Sequence, residues 1–180
     1  MNGMHKSVAR LGAVLLLAGG AGLAATSPSQ AVGPTCFGLD AAGATAAGFV
    51  VTISNAAVIN TGAANNWIVG GGPNQTINSG DGDDLVCAGA GNDLVNAGPG
   101  NDQVRGEVGN DIVNGEVGRD ILLGDDGADR LFGGDGGDVM LGGAGNDPIL
   151  DGGAGVDVGD GDAGADVCVV ATTEVRVSCP

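Results

Sequence analysis

The chain has 180 residues, of which 38 are Gly, three are Phe, one is Trp and none is Tyr, and its formal net charge is −16. So much glycine and so few aromatic residues argue against a conventional packed core, while 43% hydrophobic residues is too high a content for a disordered acidic tail. A surface this acidic repels nucleic acid and anionic lipid, so we expect no nucleic-acid partner.

Residues 1–31 have the pattern of a secretory signal peptide. A basic start with Lys6 and Arg10 is followed by the apolar run LGAVLLLAGGAGLA, and Ser29-Gln30-Ala31 offers small residues for cleavage. The apolar run is shorter than the roughly 20 residues that span a bilayer, which makes a membrane anchor the weaker interpretation. We expect cleavage after Ala31, release to the extracellular space and no insertion into a membrane.

Removal of this segment leaves a chain that lacks most catalytic side chains. All 22 acidic residues remain against four Arg, a formal charge of −18, and there is no His, Lys or Tyr. This composition excludes a His general base, a Ser-His-Asp or Cys-His system, a Schiff-base lysine and a His-ligated zinc. Hydrolysis by paired carboxylates remains, but no distinctive pair stands out. We predict no enzymatic activity, no catalytic residues and no organic cofactor.

Two segments precede the most regular part of the chain. Residues 32–60 include the apolar stretch GFVVTISNAAVI and are predicted to form an N-terminal cap with strand character. Residues 61–78 hold TGAANNWIV and GGGPNQTIN, two weaker copies of the nine-residue unit that follows. In these copies Asn66 and Gln75 stand where the later units have Asp.

Residues 79–169 contain ten nine-residue units. In each unit Gly lies two residues before an Asp, further glycines come four or five residues before it, and a large aliphatic residue generally follows two residues after it, so the unit is G-G-x-G-x-D-x-U-x. The U position holds an aliphatic residue from Val86 to Ile149, and then Gly159 and Cys168. The repeated aspartates are Asp84, Asp93, Asp102, Asp111, Asp120, Asp129, Asp138, Asp147, Asp157 and Asp166.

These ten units resemble the RTX (repeat-in-toxin, hemolysin-type) calcium-binding nonapeptide repeat family, and the chain as a whole is most similar to its short secreted bacterial calcium-binding proteins. The resemblance implies that six residues of each unit form a turn and three form a short strand, that successive strands join alternate sheets, and that two units make one coil. The predicted fold is therefore all-β, a parallel β-roll (β-solenoid) of about ten nonapeptide repeats with short terminal caps.

Stacking of such coils brings residues 18 apart onto the same edge, so the ten aspartates form two columns. Without a cation these columns carry like charges at a strand spacing of about 4.8 Å. Ca²⁺ fits better than Mg²⁺, because it accepts six to eight oxygen ligands from flexible carboxylates and turn carbonyls. We predict that all ten aspartates are Ca²⁺ ligands and that up to about eight ions bind in the gaps between coils.

Some units depart from the pattern at their glycines. The first glycine is replaced by Ser79, Ala88 or Ala97 in the early units, which predicts weaker sites there. The second glycine is replaced by an acidic residue in four later units, and these carboxylates are either extra ligands or, as we favour, tolerated surface groups. The four residues are Glu107, Glu116, Asp125 and Asp162.

Further departures concern the strands near the end of the roll. Pro148 cannot donate a hydrogen bond and is expected to weaken its strand. One extra residue near Leu150-Asp151 is expected to form a bulge, which puts the metal roles of Asp157 and Asp166 in question. The last position of the later units predicts an outward apolar stripe, which is either a partner surface or covered by the terminal segments. Its residues are Leu123, Phe132, Leu141 and Leu150.

Four Cys in an exported chain predict disulfides, and four allow three pairings. We favour Cys36–Cys87 and Cys168–Cys179, because these pairs clamp the two ends of the roll, over free or metal-binding thiols. Residues 170–180 are expected to form a C-terminal cap.

The sequence thus predicts a secreted calcium-binding structural or interaction protein whose roll folds when it binds Ca²⁺. Its partners are calcium ions and, beyond them, a protein or glycan of the cell envelope or matrix. The alternative is a small secreted effector, toxin-like or a carboxylate-based hydrolase, that uses the roll as a scaffold.

Overall fold

The computed structural model describes residues 36–39, 41–169 and 175–178, and within them one helix and fifteen strands. The predicted signal peptide, its cleavage site and most of the predicted C-terminal cap lie outside these residues. The helix is α1 (Ala41–Ala46). The strands are β1 (Val50–Ser54), β2 (Val58–Asn60), β3 (Asn66–Gly70), β4 (Thr76–Asn78), β5 (Leu85–Ala90), β6 (Leu94–Pro99), β7 (Gln103–Val108), β8 (Ile112–Gly118), β9 (Ile121–Asp126), β10 (Arg130–Gly136), β11 (Val139–Ala144), β12 (Ile149–Gly155), β13 (Val158–Ala163), β14 (Cys168–Val169) and β15 (Val175–Ser178).

The strands form two sheets by strict alternation along the chain. Odd-numbered strands make an eight-stranded sheet and even-numbered strands a seven-stranded sheet, and each strand pairs in parallel with the strand two places along. Leu85 pairs with Gln103, and Gln103 with Ile121, so one coil takes 18 residues. The prediction of an all-β parallel roll is confirmed. Among the described residues, no helix has both the length and the apolar character that crossing a bilayer requires.

The core lies between the two sheets and receives about one aliphatic side chain from each strand. Because side chains alternate along a strand, the U residue of each unit points inward while its two neighbours face outward. The buried column of the repeats is Val86, Val95, Val104, Val113, Leu122, Leu131, Met140 and Leu150. This thin core explains how a chain with so few aromatic residues folds.

The inserted residue is accommodated differently from our expectation. Pro148 lies before β12, in the connection that follows Asp147, and does not interrupt a strand. Leu131 pairs with Leu150, so Leu150 enters the core and Ile149 does not. Three predictions are therefore wrong: Ile149 in the core, a weakened strand at Pro148 and a bulge at Leu150-Asp151. The reason is that the one extra residue lies before β12 and leaves the strand register intact.

The same shift shortens the predicted apolar stripe. Leu150 is buried, and Asp151 takes the outward place opposite Phe132. Leu123 and Phe132 are half-buried, and Leu141 is 37% exposed.

Strand pairing extends the roll upstream of the regular units. β1 pairs with β3 and β2 with β4, so residues 50–78 supply coils to both sheets. A second buried cluster, made of Cys36, Ala44, Trp67, Val69 and Cys87, packs at this end of the eight-stranded sheet.

Disulfides are present at both ends of the roll. The predicted Cys36–Cys87 disulfide is present, with the two Cα atoms 5.8 Å apart. Cys168 is also disulfide-bonded, and its predicted partner Cys179 lies outside the described residues. None of the described cysteines is a free thiol.

Candidate metal centre

The repeated aspartates lie at the ends of the turns, one residue before the strand or, for Asp147 and Asp166, two residues before it, and all ten are buried. In each column the backbone N–H of one aspartate donates to Oδ1 of the aspartate in the next coil, at 2.7 to 2.9 Å. One column comprises Asp84, Asp102, Asp120, Asp138 and Asp157. The other comprises Asp93, Asp111, Asp129, Asp147 and Asp166. The structure thus brings the predicted residues together in the two predicted columns.

Asp157 and Asp166 keep their places despite the inserted Pro148. The backbone N–H of Asp138 donates to Oδ1 of Asp157 at 2.8 Å, and that of Asp147 to Oδ1 of Asp166 at 2.9 Å. The expected bulge, which put the metal roles of these two residues in question, is absent, because the extra residue lies between Asp147 and β12 and leaves the strand register intact.

The second carboxylate oxygen of each aspartate has no protein partner. Among the described residues, the buried side-chain oxygen and nitrogen atoms without a hydrogen bond are Oδ2 of all ten repeated aspartates and no others. An unpaired buried polar atom is costly and rare in folded proteins. Ten such atoms of one kind, at one position of the repeat, indicate that each faces a partner other than the protein.

The first glycine of the unit leaves room beside these oxygens. A Cβ added to this glycine would lie closer than 3.0 Å both to Oδ2 of the aspartate in the same turn and to a glycine carbonyl oxygen of the next coil. For Gly106 these atoms belong to Asp111 and Gly124. The same arrangement recurs at Gly115, Gly124, Gly133 and Gly142. A carboxylate oxygen and a backbone carbonyl oxygen that face one small gap are the donors that a hard divalent cation such as Ca²⁺ takes.

Burial disfavours the charged form of the aspartates. Burial, and to a smaller extent the neighbouring carboxylates, raise the pKa of Asp102 and Asp111 to about 7, although a backbone N–H bond opposes the shift. Burial likewise raises the pKa of Asp84, Asp120 and Asp129 to about 6. A column of these carboxylates is therefore ionised at neutral pH only at a free-energy cost, which a bound cation offsets.

The sites contain few carboxylates each. Within the described ranges, no group of three or more His, Cys, Asp or Glu side chains converges as in a conventional metal cage. The further oxygen donors beside the aspartates are backbone carbonyls of the turns, such as that of Gly124 beside Asp111.

The acidic residues at the second glycine position adopt backbone angles that favour glycine. Glu107, Glu116, Asp125 and Asp162 have φ between +66° and +78°. The Asp125 carboxylate accepts hydrogen bonds from Nε and Nη2 of Arg105 at 2.8 and 3.0 Å. For Asp125 the structure thus favours a surface ion pair over an additional metal ligand.

Sequence reasoning missed the role of the two amides in the upstream copies. The side-chain NH₂ groups of Asn66 and Gln75 donate to backbone carbonyl oxygens of their own or neighbouring coils. The signal was available, because Asn66 and Gln75 occupy the Asp position of the repeat.

A polar ladder outside the aspartate column was also missed. Oδ1 of Asn92 accepts the backbone N–H of Asn110 at 2.9 Å, and Oδ1 of Asp83 accepts that of Asn101 at 2.9 Å. The frequent Asn or Asp directly before the repeated aspartate was its signal. This ladder adds side-chain bonds between coils that need no metal.

Comparison with known proteins gives one result that bears on this arrangement. No curated protein and no solved structure matches the chain. The family model for the RTX calcium-binding nonapeptide repeat matches in four copies, at residues 60–95, 88–122, 114–147 and 149–168. These matches cover more than half of the chain and contain both aspartate columns. The chain therefore belongs to the RTX calcium-binding nonapeptide repeat family.

Proposed function

We propose that this protein is a secreted calcium-binding structural or interaction protein whose roll folds as it binds Ca²⁺ between its coils. The observation that carries the proposal is the set of ten buried Oδ2 atoms without a protein partner. In a protein without His or Lys after the proposed cleavage, no side chain other than four Arg could neutralise these carboxylates. A divalent cation is the remaining partner of suitable charge and size.

The proposed ligands are the ten repeated aspartates together with carbonyl oxygens of the turns. In five gaps both an unpaired Oδ2 and a glycine carbonyl oxygen of the next coil face the same space, and we assign the strongest sites to them. Their aspartates are Asp111, Asp120, Asp129, Asp138 and Asp147. At Gly152 and Gly161 the nearest atoms are those of Asp157 and Asp166, which supports weaker sites at this end.

Coupling of folding to calcium follows from two opposing contributions. The formal charge of −18 and the conformational entropy of glycine both oppose folding of the metal-free roll. Free calcium at about tenfold above the dissociation constant stabilises the folded state by about 1.4 kcal/mol per site, or about 7 kcal/mol for five sites. This lies within the typical 5 to 15 kcal/mol net stability of a domain, so metal binding and folding are expected to be one process.

Two features support an extracellular setting. Residues 1–31 have the signal-peptide pattern, and the Cys36–Cys87 disulfide favours an oxidising compartment. Extracellular calcium modules bind at about 0.1 to 1 mM, a range suited to a structural ion outside the cell. We propose release after cleavage at Ala31, no catalytic role, and a protein or glycan partner in the cell envelope or matrix.

Circular dichroism and calorimetry on the secreted, disulfide-intact protein test this proposal. The β signal is expected to be low in excess chelator and to rise cooperatively with Ca²⁺, with several ions bound per chain. Mg²⁺ at the same concentration is the control and should restore little signal, because it demands tighter octahedral geometry. A β signal that is the same in chelator and in calcium would contradict the proposal.

A further inference from the structure

The first coils of the roll differ chemically from those that follow. Residues 41–78, which contain α1 and β1–β4, include no Asp, Glu, Lys, Arg or His. The first acidic residue after them is Asp81. We call residues 36–78, whose one charged side chain is Asp40, the entry block. The charge repulsion that opposes metal-free stacking therefore begins only where the entry block ends.

On one edge of the entry block, Asn66 occupies the place of the repeated aspartate. Its Nδ2 lies within hydrogen-bond distance of the carbonyl oxygens of Gly62 (3.2 Å), Ala64 (2.5 Å) and Ser79 (3.2 Å). It also lies 3.1 Å from Oδ1 of Asp84, the first aspartate of this column. One NH₂ group is thus surrounded by three carbonyl oxygens and a carboxylate oxygen. This is the type of oxygen set that we propose for a cation in the later coils.

On the other edge, Gln75 does the same with its longer side chain. Its Nε2 donates to the carbonyl oxygens of Ser54 (3.3 Å) and Ala56 (2.5 Å) in the preceding coil. Its Oε1 accepts the backbone N–H groups of Gly71 and Gly72 in its own turn. This amide bonds to acceptors of the preceding coil and to donors of its own turn at once. It has no counterpart of the unpaired Oδ2 that an aspartate has at this position.

Hydroxyl groups replace the first glycine at the same end. Thr61 Oγ1 donates to the carbonyl oxygen of Ser79, and Ser79 Oγ donates to that of Ala97 at 3.0 Å. In the later coils the corresponding carbonyl oxygens face the glycine gap beside a free Oδ2. Here the side-chain hydroxyls provide the link between coils.

The entry block also takes part in two buried apolar clusters. Trp67 is fully buried against Cys36, Ala44, Val69 and Cys87, and its indole N–H donates to the carbonyl oxygen of Cys36 at 3.4 Å. Ile59, Ile68 and Ile77 fill the core between the sheets. The Cys36–Cys87 disulfide fastens this end to β5, the first strand of the regular units.

We propose that the entry block folds without metal and is the template on which the calcium-dependent coils assemble, in order, toward the C-terminus. β3 and β4, already paired with β1 and β2, then offer their other edges to β5 and β6. The register of this pairing is Trp67–Leu85 and Thr76–Leu94. Each later coil needs only to add to an existing edge and bind its ions. The proposal rests on the proposed function, because it concerns the order in which the same calcium-binding coils fold.

Hydrogen–deuterium exchange of the disulfide-intact protein, read by mass spectrometry in chelator and in calcium, tests the proposal. In chelator, backbone amides of residues 50–78 are expected to exchange on the order of tenfold or more slowly than those of residues 106–163. In calcium both segments should be protected. Fast exchange of both segments in chelator would overturn the proposal and leave the proposed function standing. Equal protection of both in chelator would overturn the proposed function, and the proposal with it.

Asn66→Asp and Asn65→Asp form a matched pair for the second measurement. Both add one negative charge, but Asn66 is buried among carbonyl oxygens, whereas Asn65 is exposed and accepts the backbone N–H of Asp83 through Oδ1. Asn66→Asp is expected to make protection of residues 50–78 depend on calcium, and Asn65→Asp to leave it unchanged. If Asn66→Asp leaves protection in chelator unchanged, the amide is not what replaces the ion.

Discussion

At the level of single residues, one atom in the repeat decides what holds two coils together. Asp129 accepts the backbone N–H of Asp111 through Oδ1 and leaves Oδ2 unpaired. Asn66 occupies the same position of its unit, and its Nδ2 donates to carbonyl oxygens instead. At this point a carboxylate leaves one oxygen unpaired, whereas an NH₂ group donates its own protons to the neighbouring carbonyl oxygens. Asparagine at this position therefore links the coils through its own hydrogen bonds.

Substitution of Asp129 separates the structural role of Oδ1 from the metal role of Oδ2. Asp129→Asn keeps the acceptor and is expected to lose one bound calcium per chain while the β signal in saturating calcium remains. Asp129→Ala also leaves the N–H of Asp111 without its partner and is expected to cost about 1 to 3 kcal/mol more. Calorimetric stoichiometry and urea unfolding measure the two effects. An unchanged stoichiometry in Asp129→Asn would exclude Asp129 as a ligand.

Relief of backbone strain at Glu116 should stabilise the roll. Glu116 has φ of +78°, and the residues paired with it in the adjacent coils are Gly98 and Gly134, both with positive φ. A non-glycine residue with such a φ costs about 1 to 2 kcal/mol of folding free energy. Glycine removes this cost, but it loses more chain entropy on folding, which offsets about 0.5 to 1 kcal/mol of the gain. Glu116→Gly is therefore expected to raise stability by up to about 1 kcal/mol in urea unfolding with calcium present.

Glu116→Gln is the control for that substitution, because it removes the charge and keeps the strained φ. If both variants gain the same stability, charge and not backbone strain explains the effect.

At the level of the turns and strands, each element has a separate task. The strands β2 to β12 supply the buried aliphatic residues and a parallel register, and the turns supply the oxygen atoms. In the folded roll, backbone N–H bonds from coil to coil align the aspartates and bring their carboxyl groups close together. The cost of that alignment appears as the raised pKa of the buried carboxyl groups.

These pKa shifts predict how the metal-free roll responds to pH. Burial raises the pKa of Asp102 and Asp111 from 3.8 to about 7, so the folded state binds protons more tightly than the unfolded state. The resulting stability is fully present below about pH 3.8 and is lost as the pH rises through about 6 to 7. In chelator, the β signal is therefore expected to increase as the pH falls from about 7 to 4.

In calcium the dependence should reverse, since protons and calcium compete for the same oxygens, and apparent affinity should fall with pH over the same range. Asp135→Asn serves as the control and should leave the midpoint in place, because Asp135 is exposed and lies outside the two columns. A metal-free chain that loses β signal on acidification would contradict the assignment of raised pKa values to the columns.

At the level of the whole molecule, charge is distributed unevenly along the roll. The repeat provides contacts mainly between neighbouring coils, so each coil depends on the one beside it. The entry block carries no charge from residue 41 to residue 78, whereas the following coils contain nearly all of the acidic residues. The disulfide and Trp67 lie at the uncharged end. The molecule therefore combines an apolar end, closed by the Cys36–Cys87 disulfide, with a strongly acidic remainder.

Removal of the Cys36–Cys87 disulfide should weaken the uncharged end most. The bond spans 51 residues, and closure of a loop of about this length stabilises the folded state by about 4 kcal/mol in the chain-entropy estimate. The double substitution Cys36→Ala with Cys87→Ala is expected to lower stability by up to that amount and to raise the calcium concentration needed for half-maximal β signal. Urea unfolding and a calcium titration measure both. Unchanged midpoints would show that the apolar cluster alone secures this end.

Much of this architecture could be predicted because the repeat is periodic. A strict spacing of nine residues determines which side chains lie 18 apart and therefore stack, so the two aspartate columns and the inward aliphatic column were predictable from residue order. The Cys36–Cys87 pairing was favoured because those positions flank the start of the regular units, but the sequence left other pairings open.

The sequence by itself determined the roll, its period and its two acidic edges, since these depend only on which residue types recur at which spacing. Only the tertiary structure decided which residue enters the core after the inserted position. Either Ile149 or Leu150 satisfies the pattern, and the pairing with Leu131 places Leu150 in the core. It also decided that Asp125 pairs with Arg105 and that the amides of Asn66 and Gln75 link coils. These choices depend on distances of a few ångströms between atoms of neighbouring coils, which spacing along the chain does not specify.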